Sequence, residues 1–208
     1  MVGMQNYQMD TRPQFMIDLG IKEGCLHWGN DAPFLADTLQ IVEPSSILEI
    51  GYFCGGSAAM WLHLSDARLI SVDPMVDLEN TTAEFCGSIE SVGKLKSAFP
   101  DRFSFIQKDS KLARPDLAGH KFDLAFIDGD HSEAGARNDF QLAIDLDIPW
   151  ILVDDFVTSV AKVWQQEFQS EFFVVRVYPR KDQFMGKPIP IVLLKRANRK
   201  IKERLAQK

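Results

Sequence analysis

Apolar residues fall along this chain in short bursts of two kinds that take turns. Residues 32–42 (APFLADTLQIV) place apolar positions at helical spacing and stop at Glu43-Pro44-Ser45. SILEIG (46–51) is a nearly continuous apolar run, as in a strand buried on both faces, and it leads through Tyr52-Phe53-Cys54-Gly55-Gly56-Ser57 into the helical AAMWLHLS. RLISVD (68–73) repeats the first kind and is stopped by Pro74. A polar stretch with Asn80-Thr81-Thr82 then precedes a helix near 84–98, ended by Pro100. FSFIQKD (103–109) runs into a short helix reaching about Leu117. FDLAFIDGD (122–130) precedes a helix over 132–146 with Ala136, Phe140, Ala143 and Ile144 on one side, and WILVDDF (150–156) precedes a helix over 158–169. There the alternation ends. FFVVRVYP (172–179) and IPIVLLK (189–195) are two strands joined by KDQFMGKP with no helix between them.

Strands alternating with helices predict an open, doubly wound α/β fold: a mostly parallel sheet with helices on both faces and right-handed crossovers. Seven strands are expected. The last two must form an antiparallel hairpin, because parallel neighbours need a long crossover. No linker, repeat or low-complexity stretch divides the 208 residues, so a single domain is expected. Residues 1–31 form an N-terminal cap segment and 196–208 a basic tail.

Composition narrows the function. The 46% hydrophobic and 25% charged content exclude a disordered chain, and no apolar run approaches the ~20 residues of a membrane span. The first residues lack a basic start followed by an apolar core, so no secretory signal is expected. Cys25, Cys54 and Cys86 are odd in number and widely spaced, which fits a reducing, cytoplasmic setting rather than disulfides or zinc. The net charge of −6 is uneven: the segment from Lys195 onward carries +6, leaving −12 on residues 1–194. An acidic body repels phosphates and disfavours a nucleic-acid substrate. The tail reads as a solvated helix anchored by Ile201 and Leu205, with an anionic surface as its alternative contact.

Ligands of open parallel sheets bind beyond the carboxyl ends of the strands, where strand order reverses. Glu49-Ile50-Gly51-Tyr52-Phe53-Cys54-Gly55-Gly56-Ser57 ends one strand and opens a helix, a turn that permits close ligand approach and offers helix-start amides to an anionic group. A ligand-free strand-to-helix turn is the alternative. Asp73, about twenty residues after Gly51, is placed to accept both hydroxyls of a ribose, or to make an ordinary Asp-Pro turn. The glycine spacing is not G-x-G-x-x-G, and no Gly-Lys-Ser/Thr follows, which argues against nicotinamide and Walker-type sites. Asp109-Ser110 could meet a purine amino group or cap the helix that follows.

These residues resemble the class I S-adenosylmethionine (SAM)-dependent methyltransferases: E-x-G-x-x-x-G-x-S at 49–57, an acid at 73 and Asp-Ser at 109–110 match, with the strand pattern over about 32–195. The resemblance implies a Rossmann-like fold. It assigns Gly51, Gly55 and Ser57 to the methionine part, Asp73 to the ribose and Asp109 with Ser110 to the adenine side. Glu49, Tyr52, Phe53 and Asp128 complete the expected cofactor contacts. Lys108 departs from the pattern, since relatives often carry glycine there.

AFIDGDH (125–131) and ILVDDF (151–156) bring Asp128, Asp130, Asp154 and Asp155 to two adjacent strand ends. Like charges this close are costly unless a proton or cation neutralises them, and a hard divalent ion with oxygen ligands would do so. Solvated carboxylates are the alternative, with Asp130 capping the helix that starts near 132. The pattern is similar to the metal-dependent O-methyltransferases of the IDGDH type, including macrolide and aminocoumarin sugar methyltransferases. That resemblance makes Asp128, Asp154 and Asp155 ligands of a divalent metal, magnesium by preference. It makes His131 the general base, with Asp130 competing. Asp155 favours the sugar-type group, because catechol-type relatives carry Asp-Asn.

The reaction so implied is O-methylation of a hydroxyl on a small molecule or sugar. A helix start disfavours a protonated His131 while the nearby carboxylates favour it, so its net pKa stays open. Residues 24–34 are expected to cover the site, with His27 and Trp28 either contacting substrate or packing. At 208 residues the chain has little room for the extra N-terminal elements of the larger sugar enzymes, so a smaller or more open acceptor site, or help from a second subunit, is expected. A non-catalytic SAM-binding module and a cephalosporin-hydroxylase-like enzyme, whose relatives share these motifs, are the competing functions.

Overall fold

A computed structural model describes residues 12–22, 28–75, 89–156, 158–179, 183–184 and 187–197. In chain order the elements are α1 (Gln14–Leu19), α2 (Trp28–Val42), β1 (Ser46–Ile50), α3 (Gly56–Leu64), β2 (Arg68–Val72), α4 (Ile89–Ala98), β3 (Phe103–Ile106) and α5 (Ser110–Leu117). They continue with β4 (Leu124–Ile127), α6 (Glu133–Asp145), β5 (Trp150–Val153), α7 (Thr158–Val163), β6 (Phe172–Tyr178), β7 (Gln183–Phe184), β8 (Lys187–Pro188) and β9 (Ile191–Arg196).

Seven strands form one sheet in the order β3-β2-β1-β4-β5-β9-β6, and β7 and β8 make a separate two-stranded ladder. The five strands from β3 to β5 are parallel, with Ile47 opposite both Leu69 and Leu124, and Leu124 opposite Trp150. β9 runs antiparallel between β5 and β6, with Val153 opposite Val192. The helix-free end of the chain is therefore the antiparallel end of the sheet. The short β7–β8 pair within KDQFMGKP adds a detail the pattern did not predict.

Alternating side chains on these strands fill two cores. Ile47, Leu69, Leu124, Phe126, Leu152 and Leu193 face Leu35, Leu39, Trp61 and Leu95 of α2, α3 and α4. Leu48, Ile50, Ala125, Ile127, Ile151 and Val153 face Ala113, Phe140, Ala143, Val160 and Val163 of α5, α6 and α7. Covering both faces is what makes the strands read as unbroken apolar runs.

Three boundaries differ from the pattern. α2 begins at Trp28 rather than 32, and the helix expected over 158–169 is α-helical only to Val163, after which Trp164–Phe168 is a π-helical turn. A π-turn inserts one residue per turn; here the indole of Trp164 donates to the carbonyl of Phe172. The helix near 84–98 is seen as Ile89–Ala98. Its first residues, the tail helix with Ile201 and Leu205, Cys25 and Cys86 lie outside the described residues. Cys54 is buried and is in no disulfide among the described residues. Among the described residues no helix is long and apolar enough to cross a membrane.

The order reverses at β1, whose two neighbours are β2 and β4, and the chain passes closely there. Gly51, just past β1, has φ of +92°, and a Cβ on it would overlap the backbone carbonyl of Asp128. Gly51→Ala should therefore destabilise the protein by about 3 kcal/mol or more, since neither clashing atom belongs to a flexible side chain. Gly93 in α4 meets nothing within 4 Å. Gly93→Ala should be stabilising by up to ~1 kcal/mol. Urea unfolding of the two variants checks the contrast, and equal effects would remove the close-approach argument.

Candidate functional site

The loop after β1 is held from below and from the side. Both amides at its start, Tyr52 N–H (2.8 Å) and Phe53 N–H (3.1 Å), donate to Asp73 Oδ2, while Met75 N–H donates to Oδ1 (2.6 Å). Asp73 thus ties the end of β2 to the loop after β1. It is no plain Asp-Pro turn, and its oxygens retain lone-pair capacity beyond the three amides. Tyr52 tucks its ring beneath Gly55, whose φ of +84° and absent Cβ make the space. The Tyr52 hydroxyl bonds Ser91 Oγ at 2.8 Å in the core, so the side chain faces away from a ligand on the loop. Phe53 holds a left-handed φ of 47°.

Glu49 is completely buried. The Ser57 hydroxyl donates to its Oε1 at 2.6 Å, and the Ser71 hydroxyl donates to Oε2. Burial pushes its carboxyl up to about 8, against the two hydroxyls that favour the charged form. A group so enclosed does not touch a ligand directly. Its role is to fix Ser57 in the first turn of α3, where helix amides have no intrahelical acceptor.

At the end of β3, Asp109 accepts from Lys111 N–H at 2.9 Å and caps α5. The capping role is thus occupied, while Ser110 donates to the buried Asp139 of α6 at 2.7 Å. Asp139 is the functional-site neighbour that motif reading missed. Its signal was present: Ala136, Asp139, Phe140 and Ala143 share one helix face, and a charge in an apolar stripe implies a built environment.

β4 and β5 end side by side, with Asp128 N–H bonded to Ile50 O at 2.8 Å and Asp154 N–H to Ile127 O at 2.9 Å. Asp154 is buried, and Asp155 adopts a left-handed φ of 46°. Between them stands His131. Its Nδ1 lies 3.2 Å from Asp155 Oδ2, and its Nε2 lies 3.5 Å from Asp128 Oδ1, a charge contact longer than a hydrogen bond. Ser159 Oγ anchors the His131 carbonyl at 2.6 Å. The pairing with Asp128 and Asp155 outweighs burial and pushes the imidazole up to about 10. The two carboxylates therefore favour the protonated imidazole in this arrangement. Asp130 does not cap α6: Ser132 is the N-cap, its Oγ accepting from Gly135 N–H at 3.1 Å. Asp130 instead accepts from Ser132 N–H at 2.9 Å, which lowers its pKa.

Among the described residues, no three acidic, histidine or cysteine side chains converge as a metal-holding group. Asp128, Asp154 and Asp155 are neighbours, but an imidazole rather than a shared point joins Asp128 to Asp155. Trp28 is an edge partner of Phe15 and His63, with ring centroids 5.9 and 5.7 Å away. His63 lies in the last turn of α3, so Trp28 packs at the end of that helix away from the glycine loop. His27 lies outside the described residues.

A profile of the methyltransferase-domain family matches residues 48–156, from the middle of β1 to the residue after Asp155. The chain belongs to this family. The match spans every strand-end loop just described, so the class I methyltransferase assignment covers the whole sheet switch point. The chain has no match among curated proteins. Solved structures with the same fold include the O-methyltransferase from Bacillus cereus in complex with SAH (S-adenosylhomocysteine), at 16% identity and TM-score 0.59, covering 88% of each chain. The O-methyltransferase TomG from Streptomyces achromogenes, involved in tomaymycin synthesis and bound to SAM, is 17% identical with TM-score 0.56, covering 81% of this chain and 80% of its own. A Pyrococcus horikoshii protein assigned to RNA methylation is 13% identical with TM-score 0.57, covering 81% of each chain. At such identities the likeness is one of fold.

The buried Glu49 gives the methyltransferase a testable pH dependence. Its ordinary value is 4.5 and its folded value about 8. Below pH 4.5 both folded and unfolded chains carry it protonated. Between about 4.5 and 8 only the unfolded chain gains by ionising, so stability falls through that window. Glu49→Gln, which keeps the shape without the charge, should be more stable than the wild type at pH 8, by on the order of a few kcal/mol, with the difference vanishing near pH 4.5. Urea midpoints across pH measure it, and parallel pH curves for the two proteins would remove Glu49 as the cause.

Proposed function

We propose that this methyltransferase transfers the methyl group of SAM to a hydroxyl oxygen of a small molecule or sugar. The observation that carries the reading is the convergence at one switch point of the Gly51–Ser57 loop, the amide-anchored Asp73, and the Asp128–His131 and Asp154–Asp155 clusters. Binding a nucleoside alone does not need the second half of that set. The O-methyltransferases of known structure that share the fold support oxygen as the nucleophile, and the acidic body supports an acceptor other than nucleic acid.

In this reading Gly51, Gly55 and Ser57 border the methionine part, Asp73 takes the ribose hydroxyls, and Asp109 with Ser110 flank the adenine. The sulfonium methyl is already activated, so the protein's main contribution is to align it with the acceptor oxygen. The hydroxyl proton leaves to Asp130 or to His131 as the bond forms. His131 as a cation between Asp128 and Asp155 holds that acidic rim in place; to act as base it must first lose its proton. Divalent-metal assistance belongs to the same proposal: Asp128, Asp154 and Asp155 are hard oxygen donors of the kind magnesium takes. When bound, such an ion would lower the acidity barrier of an acceptor hydroxyl.

Calorimetric titration with SAM, with and without magnesium, and SAH release in the presence of acceptor hydroxyls test the reading. Asp73→Ala should weaken SAM by ~1–3 kcal/mol, since a charge-assisted partner is lost together with the anchor of the loop. Unchanged affinity would take Asp73 out of the site. His131→Ala should lower turnover by ~10²–10⁴-fold with SAM affinity nearly unchanged if His131 is the base, whereas loss in Asp130→Ala alone assigns the proton to Asp130. Asp154→Asn should abolish any magnesium effect on turnover; a magnesium effect that survives it rules out these carboxylates as the ligands.

A further inference from the structure

We propose that Asp139 is a positioning residue for the cofactor site, one buried carboxylate that holds the loops after β3 and β4 in register from inside the fold; this rests on the SAM reading above. α6 buries Ala136, Phe140 and Ala143, and Asp139 interrupts that stripe where the helix passes beneath both loops. Its Oδ1 accepts the Ser110 hydroxyl at 2.7 Å and the Asn138 amide at 3.0 Å, and the same amide reaches Ser110 Oγ at 3.0 Å. Its Oδ2 lies 3.6 Å from where a Cβ on Gly129 would stand, directly under the turn between Asp128 and Asp130. One turn earlier in α6, Gly135 fits against Asp130, whose carbonyl and side chain a Cβ would overlap.

The two loops carry different parts of the site. One opens α5 and offers Asp109 and Ser110 to the adenine side. The other carries Asp128, Asp130 and His131 to the reacting end. Asp139 is the shared support, and it is itself buried. Asp109 faces it from the start of α5 and Asp130 from the loop after β4, and the neutral Asn138 lies beside it on α6. Burial raises its carboxyl to about 6, with Asp130 and Asp109 adding to the rise and Ser110 and Asn138 opposing it. Ionised, the carboxylate accepts from Ser110 and Asn138. Protonated, it loses the charge that favours those bonds, and the tie between the start of α5 and α6 weakens.

Titration of the full chain with SAH at pH 7.5 and 5.5 tests this, using the wild type, Asp139→Asn, Ser110→Ala and the double variant. Wild-type affinity should weaken several-fold at the lower pH. Asp139→Asn should bind about tenfold more weakly at pH 7.5 and show no such pH dependence. Ser110→Ala should flatten the pH profile of the wild type but leave the profile of Asp139→Asn unchanged, because the pH dependence runs through one contact. A purely structural role would lower the thermal midpoint yet leave affinity and its pH profile as in the wild type, and that result overturns the proposal. If Asp139→Asn fails to fold, Ser110→Ala decides alone: a flattened pH profile supports the coupling and an unchanged one overturns it. Wild-type protein that binds no SAH overturns the SAM reading itself, and this inference with it.

Discussion

The site depends on one close approach, the passage of Gly51 against the carbonyl of Asp128 where β1 lies beside β4. In an open parallel sheet the chain leaves β1 toward one edge and β4 toward the other, so a crevice opens where the order reverses. If the residue after β1 carried a Cβ, the ends of the two strands would be pushed apart. Without that side chain the loop carrying Tyr52 and Phe53 and the loop carrying Asp130 and His131 start from adjacent points. Cofactor-side and acceptor-side groups can then share one crevice.

Keeping this crevice acidic poses an electrostatic problem, which the protein meets differently at each depth. Glu49, sealed in the core, is held by two serine hydroxyls and retains its proton into the neutral range. Asp73, at the rim of the sheet, accepts from three backbone amides, donors that cannot rotate away. Asp128 and Asp155 share the imidazolium of His131. Hydroxyls, amides and a cation thus each meet a different carboxyl of the crevice. His131 therefore serves the folded state: without it, two neighbouring carboxylates would face each other across the strand ends.

How much of this was legible in the sequence follows from the range of each interaction. The strands and the antiparallel end were readable because SILEIG, FDLAFID and WILVDDF are buried on both faces and the last two strands lack a connecting helix. The strand-end acids were readable because their position after a buried run fixes where they point. The partners of those acids were not. That Asp73 collects amides twenty residues earlier, or that Asp139 bonds Ser110 across two helices, depends on loop geometry that has no period. Asp130 shows the limit well. It stood where a cap was expected, yet Ser132 lies two residues closer to the helix and takes the role, leaving Asp130 to bond the Ser132 amide. Trp28 is similar: an aromatic before the first strand can pack or touch a ligand, and only the tertiary contact with Phe15 and His63 decides for packing.

Backbone strain shows what kind of catalyst such a frame supports. Five non-glycine residues among those described have left-handed φ: Glu43, Phe53, Met75, Asp147 and Asp155. Glu43 and Asp147 precede β1 and β5 and belong to turns at the amino ends of the strands. The other three follow β1, β2 and β5 and lie at the carboxyl ends, around the crevice. Each such residue costs on the order of 1–3 kcal/mol and persists only where its surroundings leave no alternative. Those surroundings are visible for two of them, since Asp73 binds the amides of both Phe53 and Met75. A carboxylate that fixes two strained residues is already in place before any ligand arrives. A methyl transfer gains most from alignment, and alignment is efficient when the ordering cost has been met in folding. Under the proposed function, the same bonds that make Asp73 look committed to the protein are what would fit it to receive a ribose.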